Sequence, residues 1–228
     1  TGAGSTLYSR DCLYAVVYPD SADSTDFVKY KYNRQGQIIE MTDQNGTVHA
    51  YDLDKLGRQT QDRVTTLASG VDGAVRRIGA TYEVRGLAEK ITSYDNATVG
   101  SGSVINEVQN TYNDFSQLIS QYQEHSGAVS TSTTPKVQYA YASGSSNPIR
   151  TTSMTYPNGR ILRYEYTSGA DDNLSRISYL ADDSSGSVGT HLAEYTYLGM
   201  GTVVKVDYTE PDIRMDLVTG TGSDPYDG

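Results

Sequence analysis

The sequence predicts an all-β protein: antiparallel β-hairpin repeats, about seven of them, laid side by side in a continuous curved sheet. Three observations carry that expectation. A motif beginning Tyr-x-Tyr recurs along the chain, apolar and polar residues alternate, and turn signals separate the motifs. No stretch keeps apolar residues at i, i+3, i+4 and i+7 for three turns, and β-branched residues and Tyr dominate.

The motif runs Tyr-x-Tyr, an acidic slot, two free positions and Gly, with an apolar residue two places after the Gly. Its first copy is Tyr30, Tyr32, Asn33, Gly36 and Ile38. The second is Tyr51, Leu53, Asp54, Gly57 and Arg58, with Gln59 in the apolar slot. Weaker copies are Tyr82, Glu83, Gly86, Ala88 and Tyr112, Asn113, Ser116, Leu118. Three more begin at Tyr139 and Tyr141, at Tyr164 and Tyr166, and at Tyr195 and Tyr197, the last closing on "GMG" with Gly201 as its glycine. The second slots fall at 32, 53, 82, 112, 141, 166 and 197, and seven copies in 228 residues are not chance.

Each copy supplies two strands and two turns. First strands are expected near 27–32, 47–53, 79–84, 108–113, 137–142, 161–166 and 193–198. After each Gly come apolar residues three apart and often a Tyr, as in Leu174, Ile177, Tyr179 and Val203, Val206, Tyr208. Turns follow at "DQNG" (43–46), "YPNG" (156–159) and, without the Gly, "YPDS" (18–21). Asn-Gly predicts a tight hairpin because both residues tolerate positive φ, so Gly159 is expected there. In "RILRYEY", Leu162, Tyr164 and Tyr166 share one face, and Ile161, Arg163 and Glu165 share the other. Equivalent Tyr residues then lie two strands apart, roughly 9–10 Å, with intervening residues such as Tyr179 or Tyr208 filling the gap. The polar connectors 96–104, 125–136 and 182–190 read as overgrown hairpin tips on one edge. Residues 1–26 form an incomplete leading repeat, 27–210 the hairpin repeats, and 211–228 the start of a further repeat or a connector.

Composition suits a thin sheet. Hydrophobic residues are 36% of the 228, and mean hydropathy is −0.53. There are 20 Tyr against two Phe and no Trp; the Tyr ring packs while its hydroxyl tolerates water. A formal charge of −10 argues against nucleic acid or an anionic membrane as partner. The longest apolar run, about Leu13 to Tyr18, is too short for membrane insertion, and no signal peptide is visible. The chain reads as a piece of something longer. Its single cysteine, Cys12, excludes an internal disulfide and any multi-cysteine metal site, and reads as a half-buried structural thiol.

Catalytic chemistry finds no motif. His49, His125 and His191 sit in separate units without ligand spacing and read as solvated strand or turn histidines. There is no Gly-x-Ser-x-Gly elbow and no phosphate-binding Gly-x-x-x-x-Gly-Lys. The acidic pairs Asp52 with Asp54, Asp171 with Asp172, and Asp182 with Asp183 read as solvated turn acids, without the ligand number of a Ca²⁺ loop. Sequons at Asn45, Asn96 and Asn173 fall in turns or connectors. We therefore expect no catalytic, cofactor or metal site. The alternative is a cell-surface adhesion or carbohydrate-binding module, with the Tyr rows stacking on glycans; cross-strand packing accounts more directly for their fixed place in every unit.

These motifs, above all "YDLDKLGRQ" (51–59), "YKYNRQGQI" and "MTYPNGRILRYEY", resemble the YD repeat of the Rhs family over about residues 14–210. That family includes Rhs polymorphic toxins, shell subunits of toxin complexes, and teneurins. The resemblance implies a segment of a spiralling β-hairpin shell around a cargo polypeptide, in an exported, extracellular or cell-surface protein, with flanking repeats as partners. In teneurins it implies cell-surface adhesion. The acid slot departs from the pattern at Asn33, Asn113, Ala142, Thr167 and Leu198. The family's aspartyl autoprotease uses paired Asp-Pro motifs, whereas "SDPYDG" offers Asp224-Pro225 alone and reads as the start of another repeat.

Overall fold

The computed structural model describes residues 11–19, 26–143, 147–167 and 169–209, and the backbone of 213–216. They form sixteen strands: β1 (Ala15–Val17), β2 (Phe27–Tyr32), β3 (Ile38–Thr42), β4 (Val48–Leu53), β5 (Gln59–Thr66), β6 (Arg77–Tyr82), β7 (Ala88–Tyr94), β8 (Val104–Tyr112), β9 (Leu118–Glu124), β10 (Lys136–Tyr141), β11 (Thr151–Thr155), β12 (Ile161–Glu165), β13 (Tyr179–Ser184), β14 (Ser187–Leu198), β15 (Thr202–Tyr208) and β16 (Ile213–Asp216). One short helix, α1 (Ala170–Leu174), interrupts them. The seven expected first strands are β2, β4, β6, β8, β10, β12 and β14. "SDPYDG" and the Asp20-Ser21 half of "YPDS" lie outside the described residues.

The chain divides into two compact units built from the same hairpin. The first takes in the described residues up to Ser116 and Gln121–Pro135, the second Gln117–Ser120 and those from Lys136 onward. Within each unit, strand order follows chain order and pairing is antiparallel. Consecutive hairpins need no crossover, so within a unit each repeat pairs with its neighbours in the chain.

Turn chemistry repeats with the motif. Gly36, Gly57 and Gly86 each donate their N–H to the carbonyl three residues earlier, at 3.1, 3.0 and 2.8 Å. All three have left-handed φ, at 78°, 83° and 92°. The acid slot closes the loop: Asp54 Oδ1 accepts the N–H groups of Leu56 (2.8 Å) and Arg58 (2.9 Å), and Asn33 Oδ1 those of Gln35 and Gln37. This is a β-turn ended by a left-handed bulge residue, and Asn serves as well as Asp because only an acceptor oxygen is required.

Several expectations about turns and strands are corrected, while the positive φ expected at Gly159 is found. At "DQNG" and "YPNG", Gly46 and Gly159 are left-handed (φ 87° and 85°) but Asn45 and Asn158 are not, so the same glycine-bulge turn replaces a primed one. In the last repeat the left-handed glycine is Gly199 (φ 62°), not Gly201. The segment 182–190 is mostly strand; only Ser185 and Gly186, both at positive φ, turn between Ser184 and Ser187. Leu174 belongs to α1 rather than to a strand, because apolar residues three apart fit one helical turn as well as a twisted strand edge.

In each unit the strands present two chemically distinct faces. Among the described residues only Tyr122, Ala181 and Ala193 are buried apolar side chains, and most strand residues are half-buried. Paired positions on one face include Tyr30–Met41–His49 and Tyr139–Met154–Leu162. The opposite face carries cross-strand ion pairs: Lys31–Glu40, Arg63–Asp52, Lys90–Glu107 and Arg163–Asp183. Tyr208 pairs with Ala193 beside Tyr195 and fills the tyrosine face as expected. Tyr179 does not: it pairs with Glu165 on the ion-pair face and stacks on His191 at 3.9 Å, while Leu180, opposite Tyr164, fills the gap.

Candidate functional site

The two tyrosines of the motif have different jobs. Every tyrosine in the second slot donates its hydroxyl to a backbone carbonyl at, or two residues before, the start of the preceding strand. Tyr32 donates to Leu13 O (2.7 Å), Tyr82 to Gln59 O (2.8 Å) and Tyr112 to Ala88 O (2.8 Å). Tyr141 donates to Leu118 O (2.9 Å), Tyr166 to Thr151 O (3.1 Å) and Tyr197 to Ile177 O (2.8 Å). The exception proves the geometry: the second slot of the second repeat is Leu53, which has no hydroxyl. Register shifts by one residue immediately before Tyr32, Leu53, Tyr82, Tyr141 and Tyr197. Such a bulge re-aims the side chain, here back across the neighbouring strand.

A cation covers the same ring in three repeats. Arg58 lies 4.3 Å from the Tyr82 ring centre, Arg150 4.9 Å from Tyr166 and Arg176 4.6 Å from Tyr197. Each arginine immediately precedes the carbonyl that the tyrosine binds, so one dipeptide holds both faces of the contact. Cys12, Leu87 and Gln117 hold that sequence position before the acceptors of Tyr32, Tyr112 and Tyr141. Sequence reasoning found only Arg58 of this set. Arg150 and Arg176 follow turns of different length and no glycine, so the motif gives no signal for them.

Among the described residues the first-slot tyrosines Tyr30, Tyr51, Tyr139, Tyr164 and Tyr195 make no such bond; the remaining first slots are Ala80 and Asn110. Burial pushes the phenols of Tyr51, Tyr164 and Tyr195 above their ordinary value, with Asp62 adding to it at Tyr51 and neighbouring tyrosines at Tyr164. In the second unit Tyr139, Tyr141, Tyr164 and Tyr166 line an open hollow of about 240 Å³ with Leu118 and Ile177. A second hollow, about 350 Å³, includes Asp171, Ser178, Tyr179, His191, Glu194 and Lys205. Its ionisable groups are already paired: Asp171 with Arg176 and Ser178, His191 with Glu194, Lys205 with Asp207.

The other residues singled out by sequence fall into structural roles. Asp52 binds Arg63, Asp54 binds Arg58, Asp172 binds Arg150, Asp182 binds Arg160 and Asp183 binds Arg163. The acids are therefore engaged by arginines rather than simply solvated. Among the described residues, no three His, Cys, Asp or Glu side chains gather as metal ligands would. His49 and His191 are not free solvated rings either; each holds a carboxylate through Nδ1, Asp62 at 2.7 Å and Glu194 at 2.6 Å. The His49 partner lies 13 residues away across a hairpin, out of reach of any local spacing rule. Cys12 is half-buried. No described helix is long and apolar enough to cross a membrane.

No family model matches the chain, and no curated protein matches it. Among solved structures it is similar to one described as TcdB2-TccC3-Cdc42, at 15% identity and a TM-score of 0.36, over 86% of this chain and 10% of that one. It is similar also to TcdB2-TccC3-TEV, at 15% identity and 0.33, over 83% and 9%. A third is a Photorhabdus luminescens Tc holotoxin pore with a mutated TccC3, at 15% identity and 0.32, over 83% and 9%. The chain thus spans about a tenth of the length of those chains. At this identity and score the likeness carries nothing about activity.

Proposed function

We propose that this chain is a non-catalytic wall segment of a larger, exported β-hairpin repeat protein, whose repeats together enclose a cargo polypeptide. The observation that supports it best is the division of labour between the tyrosines. The most regular side chains of the sequence hold strand to strand: the second-slot hydroxyls take backbone carbonyls, and three of their rings are capped by arginines. Functional residues of an enzyme converge on one place; these recur once per repeat. The YD-type resemblance supplies the cargo and the export.

The test uses the full-length protein that carries this segment. Limited proteolysis with mass spectrometry should find a polypeptide of that protein protected while the repeats are intact, and cleaved once mild denaturant opens them. A full-length protein in which every non-repeat segment is cut as fast before opening as after contradicts the enclosing role.

One observation favours a second reading, a carbohydrate-binding module: the open hollow flanked by Tyr139 and Tyr164, whose hydroxyls make no hydrogen bond among the described residues. Saturable binding on a glycan array, lost in Tyr164→Ala without unfolding, would establish it. A blank array excludes it.

A further inference from the structure

In the first unit, the turns that follow the tyrosine motifs all leave the sheet at the same strand ends. They are 33–36, 54–57, 83–86 and 113–116, each two strands from the next, a spacing of about 10 Å. Three carry a large apolar residue at the tip: Leu56 is 80% exposed, Val84 99% and Phe115 74%. Nothing in the turn requires them there; Gln35 holds the position of Leu56 in the first copy.

The tips are also tied to one another. Gln37 Nε2 donates to Gly57 O at 3.1 Å, linking the first tip to the second. Arg58, beside the second tip, covers Tyr82 at the root of the third. Arg85 Nη1 donates to Asn113 O at 2.6 Å, linking the third to the fourth. The apolar residues are thereby held in a fixed row, and a row fixed before contact binds at lower entropic cost.

The two strand ends of this unit differ in charge. The tip segments 33–36, 54–58, 83–86 and 113–116 carry Arg34, Lys55, Arg58 and Arg85 against Asp54, Glu83 and Asp114. The opposite segments 43–47, 67–76, 95–103 and 124–135 carry Asp43, Asp72, Asp95 and Glu124 against Arg76 alone, whose guanidinium is bonded to Val64 O. Those connectors also expose apolar side chains, with Val71 and Val99 at 41% and 54%.

We infer that the row of Leu56, Val84 and Phe115 is an interaction surface for a second copy of this chain, docked tip end to connector end. Arg34 and Lys55 face the acidic connectors of that copy, and the three apolar tips meet its exposed valines. The contact is heterologous, one strand end against the other, and so adds copies along the strand direction. It goes beyond the wall reading, which needs only strand-to-strand pairing.

Sedimentation velocity over a concentration series tests it. The chain should associate reversibly, more weakly as salt rises, because part of the attraction is between screened charges. The triple variant Leu56→Ser, Val84→Ser, Phe115→Ser should associate at least about tenfold more weakly, as loss of a central apolar cluster does. Its circular dichroism and unfolding midpoint should be unchanged, since all three side chains face solvent. A chain that stays monomeric throughout, or a triple variant that associates like the parent, overturns the inference. So does binding of a monomeric chain to anionic vesicles. Protected cargo in the full-length protein together with a monomeric chain would remove this inference and leave the wall reading standing.

Discussion

Gly159 and Ser116 meet the same backbone demand with different side chains. Both close a hairpin turn in the left-handed region, at φ 85° and 65°. A Cβ on Gly159 would have nothing within 4 Å, so Gly159→Val tests backbone strain alone. It should lower stability by about 1–2 kcal/mol in urea unfolding. Ser116 already carries that strain, and Ser116→Gly should raise stability by up to ~1 kcal/mol. The opposite signs at equivalent positions check the turn assignment twice. Glycine spacing made these turns legible in the sequence. The actual turn type was not, because Asn-Gly favours a primed turn locally while the register of the flanking strands imposes a bulge.

At the scale of elements, strand positions were legible because a motif repeated seven times overrides any single ambiguous copy. Individual contacts were less so. Both tyrosines of a pair look alike in sequence; only the bulge before the second turns its hydroxyl onto a carbonyl. The connector 125–135 is a further case. It reads as a polar loop, yet it is fixed to the ion-pair face by Glu107, which is 5% exposed. Glu107 accepts from Thr92 Oγ1 (2.7 Å), Lys90 Nζ (3.0 Å) and the Val129 N–H (3.1 Å), and Thr134 Oγ1 donates to Glu124 (2.7 Å). Burial opposes the charge on Glu107, but these donors outweigh it and hold its carboxyl below the ordinary range. Glu107→Ala should cost about 1.5–3 kcal/mol, the worth of hydrogen bonds to a buried charge. Protease cleavage within 125–135 should quicken with it, and unchanged cleavage would show that the connector is held by something else.

For the whole molecule, the two titrating populations set opposite limits on stability. On the acid side, carboxyls are held below their ordinary values. The Arg58 N–H does this at Asp54, the Ser178 hydroxyl and Arg176 at Asp171, the Gly186 N–H and Arg163 at Asp183, and the Thr134 hydroxyl at Glu124. Folded values below unfolded ones give stability that is present above the unfolded carboxylate range, about 4, and is lost as pH falls. On the alkaline side, burial raises the phenols of Tyr51, Tyr141, Tyr164, Tyr166, Tyr195 and Tyr197. Folded values above unfolded ones give stability that is complete below about 10 and is lost as pH rises further. Urea midpoints should therefore fall on both sides of a broad plateau, with phenolate absorbance appearing together with the alkaline fall. Phenolate absorbance that rises near pH 10 without any loss of stability would contradict the burial of these rings.

The periodic tyrosines hold strand to strand, the second slot through its hydroxyl. The most direct measurement compares two sets of Tyr→Phe substitutions by chemical unfolding. One set removes the hydroxyls of Tyr112, Tyr141, Tyr166 and Tyr197, each half-buried on a backbone carbonyl. The other removes those of Tyr51, Tyr139, Tyr164 and Tyr195, and both sets leave every ring in place. The second-slot set should lose about 2–6 kcal/mol, from four hydrogen bonds at 0.5–1.5 each. The first-slot set should stay within about 1 kcal/mol of the parent, as substitutions that break no bond do. Equal losses in the two sets, or a second-slot set as stable as the parent, would mean that these hydroxyls do not hold the strands together.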